Sequence, residues 1–212
     1  MVALVTFHNH QPGKDTMLKI ALIVGSTRPQ RFADTPARWI EKGAAARSDF
    51  RLETLDLRDY ALPFFQEPVP AAMTDDVLSE PAAEAWRKKI TEFDGFIATV
   101  AEYNYGPTAV LKNALDCAWR GWHRKPIAFV GYGGYGGAHA IAQLRGSATA
   151  LQMAPIWASV GIGMEPFLGI LMQGKTLDDY PHLLQGRDKV FDELTWWANA
   201  LKAAREPVAL AA

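Results

Sequence analysis

Cysteine is almost missing: Cys117 stands alone among 212 residues. One thiol excludes an intrachain disulfide framework and a Cys-rich zinc or iron–sulfur site. No charge of one sign dominates either, since 22 Lys and Arg face 23 Asp and Glu, for a formal net charge of −1. That balance argues against a general nucleic-acid binder, which carries a basic excess. It argues more weakly against an acidic electron carrier steered to its partners by charge. No apolar run approaches the roughly 18 residues of a membrane span. The opening residues lack a basic n-region and a small-residue cleavage site after a long apolar stretch. The chain is therefore expected to be cytoplasmic and away from membranes. Apolar material is plentiful: 49% hydrophobic residues suffice for a real core and exclude a mostly disordered chain. The length suits one domain, at roughly 100–200 residues each.

Residues 1–16 read as an N-terminal extension, because Met17 stands directly before the first strong strand signal. His8 and His10 beside Pro12 and Gly13 suit a solvated arm better than a metal site. From there strands alternate with helices. Leu18–Val24 is a near-continuous β-rich apolar run, the pattern of a strand buried on both faces of a parallel sheet. Further strands are predicted at Phe50–Leu57, Gly95–Val100, Pro126–Val130 and Ile156–Val160. Helices are predicted at Asp34–Arg47, Glu80–Phe93, Pro107–Trp122, Ala138–Met153 and Leu183–Ala204. Pro36 and Pro81 suit first helical turns. Asp59–Ala72, with Pro63, Pro68 and Pro70, is a long loop, and a Gly-rich loop follows the fifth strand. The domain then spans 17–205, with a tail over 206–212. This succession implies a parallel sheet covered on both faces, a doubly wound three-layer sandwich. In such folds ligands sit beyond the carboxyl ends of the strands at a switch in strand order. The loops after the first, third and fourth strands are therefore the places to look.

The first of these loops, Gly25-Ser26-Thr27-Arg28-Pro29-Gln30-Arg31-Phe32-Ala33, leaves a buried strand and enters a helix N-terminus. Hydroxyls, free amides, two arginines and the positive helix end suit a dianionic phosphate. An ordinary polar turn with exposed arginines fits the same residues. A nucleotide P-loop does not, because Gly-Lys-Ser/Thr is missing. The second loop, Ala101-Glu102-Tyr103-Asn104-Tyr105-Gly106-Pro107, can turn amides toward a flat ring while a tyrosine covers a face. Tyrosine at a turn is, however, more often packing than stacking. The third, Gly131-Tyr132-Gly133-Gly134-Tyr135-Gly136-Gly137, allows close approach of backbone to a ligand. It contains a formal GxGxxG, but after the fourth strand and with no acidic residue over Ala154–Gly163, so the dinucleotide fingerprint is rejected. A phosphate pocket beside a flat-ring site describes a mononucleotide such as FMN better than NAD.

The segments Gly25-Ser26-Thr27-Arg28-Pro29, Glu102-Tyr103-Asn104 and Leu111-Lys112-Asn113-Ala114-Leu115-Asp116 closely resemble the NADPH-dependent FMN reductase family of flavodoxin-like proteins. So do Lys125-Pro126, the glycine loop and Gln143-Leu144-Arg145. The resemblance runs from about Leu18 to Val160, with the motifs in order. It implies a five-stranded parallel sheet of order 2-1-3-4-5. It implies that Ser26, Thr27, Arg28 and Arg31 hold the FMN phosphate, with backbone help from Phe32 and Ala33. Glu102, Tyr103, Asn104 and Tyr105 would meet the isoalloxazine, largely through amides, and Gly133, Gly134 and Gly136 would let the third loop pass along it. Ala101 and Phe32 depart from the common pattern of Pro and Asn or Ser at those positions. The implied activity is an FMN-dependent NAD(P)H oxidoreductase, fed by NADPH or NADH. It would pass hydride to a quinone, azo compound, free flavin or metal oxyanion by a ping-pong cycle. No side chain is needed as general acid or base and no metal is expected. The alternative is a flavodoxin-type carrier serving protein partners without nicotinamide.

The remaining signals read as structural. Cys117 suits a small buried hydrophobe. His123, His139 and His182 show no ligand spacing. Trp119 and Trp122 are three apart on one predicted helix and so share a face. An exposed aromatic patch there would mark an interface, and the resemblance implies a homodimer or homotetramer with flavin near the contact. In Trp196-Trp197 one ring can face the core and the other a groove or partner.

Overall fold

A computed structural model describes residues 17–73 and 77–205; the expected extension 1–16, with His8 and His10, and the tail 206–212 lie outside the described residues. Leu18–Val24 forms β1, buried at every position except Lys19. Gly95–Ala101 (β3) and Pro126–Tyr132 (β4) are buried along their whole length. Such strands need apolar cover on both faces, which only a central place in a sheet provides. Phe50–Asp56 (β2) and Ala154–Ile162 (β5) mix buried and exposed positions and take the two edges. The order is β2-β1-β3-β4-β5 and every pairing is parallel, the arrangement the resemblance implies. One face packs on α1 (Asp34–Ala44) and α7 (Pro181–Arg205). The other packs on α2 (Pro81–Thr91), α3 (Ala109–Asp116), α4 (Trp119–Trp122) and α5 (Ala138–Ala150). Among the described residues, no helix is long and apolar enough to cross a membrane.

Three elements differ from the sequence reading. The helix expected over Pro107–Trp122 breaks at Cys117 and Ala118, where Ala118 has φ −138° and ψ 36°. The break turns Trp122 inward. Its ring is fully buried, edge-on to Phe96 at 4.7 Å, and its Nε1 donates to the Leu115 carbonyl at 2.9 Å. Gly121 permits this approach, because a Cβ there would lie 2.9 Å from the Ile90 Cγ2. Trp119 and Trp122 therefore form no exposed patch, and the interface inferred from their spacing is withdrawn. Second, the segment read as a Gly-rich loop contains α6 (Met164–Gln173), ended at Gly174 with φ +66°. Its outward side carries Met164, Leu168, Leu171 and Met172, so the polar face that makes a helix legible is missing. Third, β5 runs from Ala154 to Ile162 and bulges opposite Ile127 to Phe129. Arg145 donates to the carbonyls of Ile156 and Trp157 at 2.5 and 2.9 Å, and the Glu193 carboxylate accepts from the Trp157 and Ala158 amides, each at 2.8 Å. The two side chains satisfy the backbone groups that the bulge takes out of the ladder.

Cys117 and the double tryptophan behave as read. The thiol is buried, and burial pushes its pKa up to about 11, so it is a core group rather than a reactive one. Trp197 packs on the core while Trp196 is exposed.

Candidate functional site

β1 and β3 are neighbours, yet the chain leaves them toward opposite faces, and the loops after β1, β3 and β4 meet above this switch. They enclose a cavity of about 250 Å³ whose walls include Ser26, Arg28, Arg31 and Phe32 of the first loop. Ala101, Glu102, Tyr103, Tyr132 and Gly133 close it from the other two loops, and Phe167 closes it from α6.

The first loop is held by its own charges. All five Arg31 N–H donors are spent within the protein. Nε donates to Asp34 Oδ1 at 2.7 Å, and Nη2 lies 2.6 Å from the same oxygen. Nη1 donates to the Ser26 carbonyl at 2.5 Å and to Asp56 Oδ1 at 2.6 Å, and Nη2 donates to Asp56 Oδ2. The side chain is 4% exposed. Hydrogen bonding to Asp56 raises the guanidinium pKa further above its ordinary value. Burial works against the Asp56 carboxylate, but the Arg31 donors and the Arg58 amide hold its pKa below the ordinary carboxylate value. Arg31 thus ties the loop to the end of β2, and the structure gives it a bracing geometry rather than a free one.

Arg28 differs. Its guanidinium lies 5.7 Å from the centre of the Tyr103 ring, lines the cavity, and makes no ion pair among the described residues. Ser26 is buried, its hydroxyl 3.4 Å from the Tyr103 hydroxyl, and Thr27 is half-buried beside it. Phe32 and Ala33 lead into α1, whose first capping bonds run from the Thr35 amide to the Phe32 carbonyl and from the Ala37 amide to the Ala33 carbonyl. The amides of Phe32 and Ala33 themselves have no acceptor among the described residues, so they remain at the positive helix end.

The second loop folds into a tight turn. The Tyr103 and Gly106 amides each donate to the other's carbonyl at 2.9 Å. Asn104 and Tyr105 have φ of +49° and +67°, the pattern of a type I′ turn. The bonds that close the turn leave the Asn104 and Tyr105 amides out, and neither has an acceptor among the described residues. Glu102 plays another part: its carboxylate accepts from the His139 and Ala140 amides at 2.9 and 3.3 Å and lies 3.1 Å from His139 Nδ1. It caps α5, and its own amide donates to the Tyr132 carbonyl. Neither its side chain nor its amide is free for a ring, unlike those of Asn104 and Tyr105.

The third loop is folded on itself. Gly136 and Gly137 have φ of +66° and +78°, and a Cβ on Gly131 would lie 2.4 Å from the Gly136 carbonyl oxygen. Gly136 also packs on Gly161 of β5, so its freedom serves the fold. Gly133, with φ +143°, lines the cavity, and Gly134 is open except for Met164. Of the expected site residues the structure brings Ser26, Arg28, Arg31, Phe32, Glu102, Tyr103 and Gly133 to the wall of one cavity, whereas Thr27, Ala33, Asn104, Tyr105, Gly134 and Gly136 are outside its lining. Sequence reasoning overlooked three contributors: Tyr132, hidden inside a glycine run, Phe167 on the unrecognised α6, and Asp56, the partner of Arg31. The Asp56 signal, an acidic residue closing a strand, was present but carries no address.

The donor set fits FMN: one free guanidinium and two free helix-end amides suit a phosphate, and two free turn amides suit the polar edge of a flat ring. A model of the NADPH-dependent FMN reductase family matches residues 18–166. An NAD(P)H-dependent FMN reductase of Schizosaccharomyces pombe is 38% identical over 135 residues, 64% of this chain and 68% of the relative. A 2-hydroxy-1,4-benzoquinone reductase of Burkholderia is 34% identical over 136 residues, 61% of this chain and 69% of the relative. Among solved structures, the FerB NAD(P)H:acceptor oxidoreductase of Paracoccus denitrificans superposes with a TM-score of 0.66 at 22% identity, over 87% of this chain and 98% of that one.

Proposed function

The chain belongs to the NADPH-dependent FMN reductase family, an NAD(P)H-dependent flavoenzyme, and on that premise we propose that it delivers reducing equivalents from a nicotinamide to a small planar acceptor of the quinone class. The reading rests on the free Arg28 guanidinium beside the free amides of Phe32 and Ala33, within reach of the second and third loops. Arg28 and these amides bind the phosphate, with Ser26 and Thr27 offering hydroxyls. Arg31, although in the cavity wall, gives its donors to Asp34, Asp56 and the Ser26 carbonyl and so holds the loop in shape. The Asn104 and Tyr105 amides orient the ring edge, Gly133 lets the third loop approach it, and Tyr103 shields the phosphate side from water. FMN, when bound, supplies the two-electron chemistry by taking hydride from the nicotinamide and yielding it to the acceptor.

Donor and acceptor would use the same flat-ring site formed by the second and third loops, and on this reading they alternate. No side chain of the chain is required as acid or base for hydride transfer itself. Support for a quinone over other acceptors comes from the quinone reductases among the relatives and from the exposed Tyr105 and Tyr135 rings of the second and third loops, centred 6.0 Å apart. The test is a steady-state study with NADPH, NADH and menadione on the FMN-loaded protein. Parallel double-reciprocal lines are expected. Intersecting lines would replace alternation with a ternary complex, and absence of nicotinamide oxidation would remove the proposal.

A further inference from the structure

The Tyr132 hydroxyl is the polar group of this cavity that the proposed function leaves unused. The residue ends β4, is 7% exposed, and lines the cavity together with Ser26 and Arg28. Its oxygen is buried and makes no hydrogen bond of normal geometry, the Ser26 hydroxyl being the nearest group able to interact with it. Three other described side-chain atoms are buried without such a bond, His123 Nε2, Tyr180 Oη and Thr195 Oγ1, but none of them lines the cavity. A hydroxyl buried without a partner is destabilising by itself. Rotation does not relieve it, because the ring is set against Phe32 at 5.4 Å and Phe32 against Phe167 at 4.7 Å.

We infer that Tyr132 is a phosphate-binding residue, its hydroxyl donating a hydrogen bond to the phosphate monoester held by the loop after β1. The inference rests on the reading of the cavity as the FMN site. Its first support is position. Tyr132 shares the cavity wall with Ser26, Arg28 and Arg31 of the first loop and Tyr103 of the second, and Arg31, Tyr103 and Asp34 at the start of α1 act on it electrostatically. The side chain thus crosses from β4 over β3 to the phosphate loop. Its second support is chemistry: burial raises the phenol pKa well above its ordinary value, so the group stays protonated and able to donate. A phosphate dianion only accepts, and it is the partner that gains most from one further fixed donor. Its third support is the bookkeeping of donors nearby. Arg31 has none left, so the loop's cationic side offers Arg28 from one direction and Tyr132 from the other.

The Tyr132→Phe variant tests this by removing one oxygen and keeping the ring. Apoprotein, wild type and variant, is titrated with FMN and with riboflavin, following flavin fluorescence. FMN affinity is expected to fall roughly tenfold to a hundredfold, the effect of one hydrogen bond to a charged group, while riboflavin affinity stays the same. Thermal unfolding of the apoprotein gives a second reading. The variant is expected to melt at the same temperature or higher, having lost an unsatisfied group, yet to gain less from added FMN. Equal losses for FMN and riboflavin would place the hydroxyl on the ribityl chain or ring and overturn the inference. Unchanged FMN affinity would overturn it too. An FMN affinity that is indifferent to Arg28→Ala would instead refute the cavity reading, and this inference with it.

Discussion

Replacing Glu102 by alanine separates two readings of the same residue. The family resemblance sets it against the flavin ring, whereas its contacts make it the cap of α5. The carboxylate serves two helix-end amides, at 2.9 and 3.3 Å, and the His139 ring at 3.1 Å, and its side chain is 6% exposed. Loss of an N-terminal cap costs about 0.5–2 kcal/mol, and loss of an anion at a helix N-terminus about 0.3–1 kcal/mol. Burial leaves little water to replace either, so Glu102→Ala should destabilise the apoprotein by about 1.5–3 kcal/mol. Glu102→Gln keeps an acceptor oxygen and loses the charge, for a cost of about 0.5–1 kcal/mol. In a domain of this size each kcal/mol moves the melting temperature by about 2–4 °C. The two variants should therefore separate clearly in thermal scans and urea titrations of flavin-free protein. FMN affinity should fall only in proportion to the disturbed loop, and less for glutamine. The reasoning fails if Glu102→Ala leaves apoprotein stability unchanged while abolishing flavin binding, since that pattern belongs to a direct ligand.

Arg28→Ala should weaken FMN by about 1.5–3 kcal/mol, the worth of a charge-assisted contact, with no change in apoprotein melting. Arg31→Ala should do the reverse first, destabilising the apoprotein by about 2–4 kcal/mol; this is set below a fully buried pair because Asp34 and Asp56 are partly exposed. Urea unfolding of both variants decides between them. Glu84, paired chiefly with Arg87, has its pKa lowered to about 2 from an ordinary 4.5. Its stabilisation is complete above 4.5 and is lost as pH falls toward 2. Glu84→Gln should therefore flatten the acid limb of a stability–pH curve over that window, and an unchanged limb would refute the assignment. Cys117 should resist Ellman's reagent in native protein and react on unfolding; fast native labelling would contradict its burial. Gly131→Ala should destabilise the third loop and loosen FMN, as its Cβ would meet a backbone oxygen at 2.4 Å with no side chain to give way.

The sheet was legible because its strands are unambiguous. Leu18–Val24 and Pro126–Val130 cannot be amphipathic helices or exposed strands, and their spacing leaves room for one crossover helix each. Loop positions followed from the topology. What stayed hidden depends on partners distant in sequence. Arg28 and Arg31 are the same residue type three positions apart in one loop, and nothing local distinguishes them. Asp56, 25 residues away from Arg31 at the end of the adjacent strand, does. Trp119 and Trp122 have helical spacing, but the ridge of α2 at Ile90 admits Gly121 closely and draws Trp122 into the core. Glu102 sits in a ligand-binding motif, yet the α5 N-terminus that claims it lies 37 residues on. In each case the residue type was correct and its partner decided the role.

That pattern explains how the site carries so little net charge and still suits a phosphate. A loop with two free arginines beside a helix end would repel itself before any ligand arrived. Here one arginine is neutralised by Asp34 and Asp56, and its pairing fixes the loop geometry. The other, Arg28, is left over a tyrosine face, partly stabilised there and still available. Glu102 likewise spends its charge on α5, which brings the glycine loop against the turn without placing a carboxylate toward the ligand. The ring side is then left with amides alone, the neutral donors at Asn104 and Tyr105. Both hold left-handed backbone that costs a non-glycine residue of order 1–3 kcal/mol. Such strain persists only where surrounding bonds enforce it, and the paired bonds between Tyr103 and Gly106 do so. A glycine at position 105 would relax the turn and stabilise the chain, at the cost of the fixed direction of the amides that orient the ring.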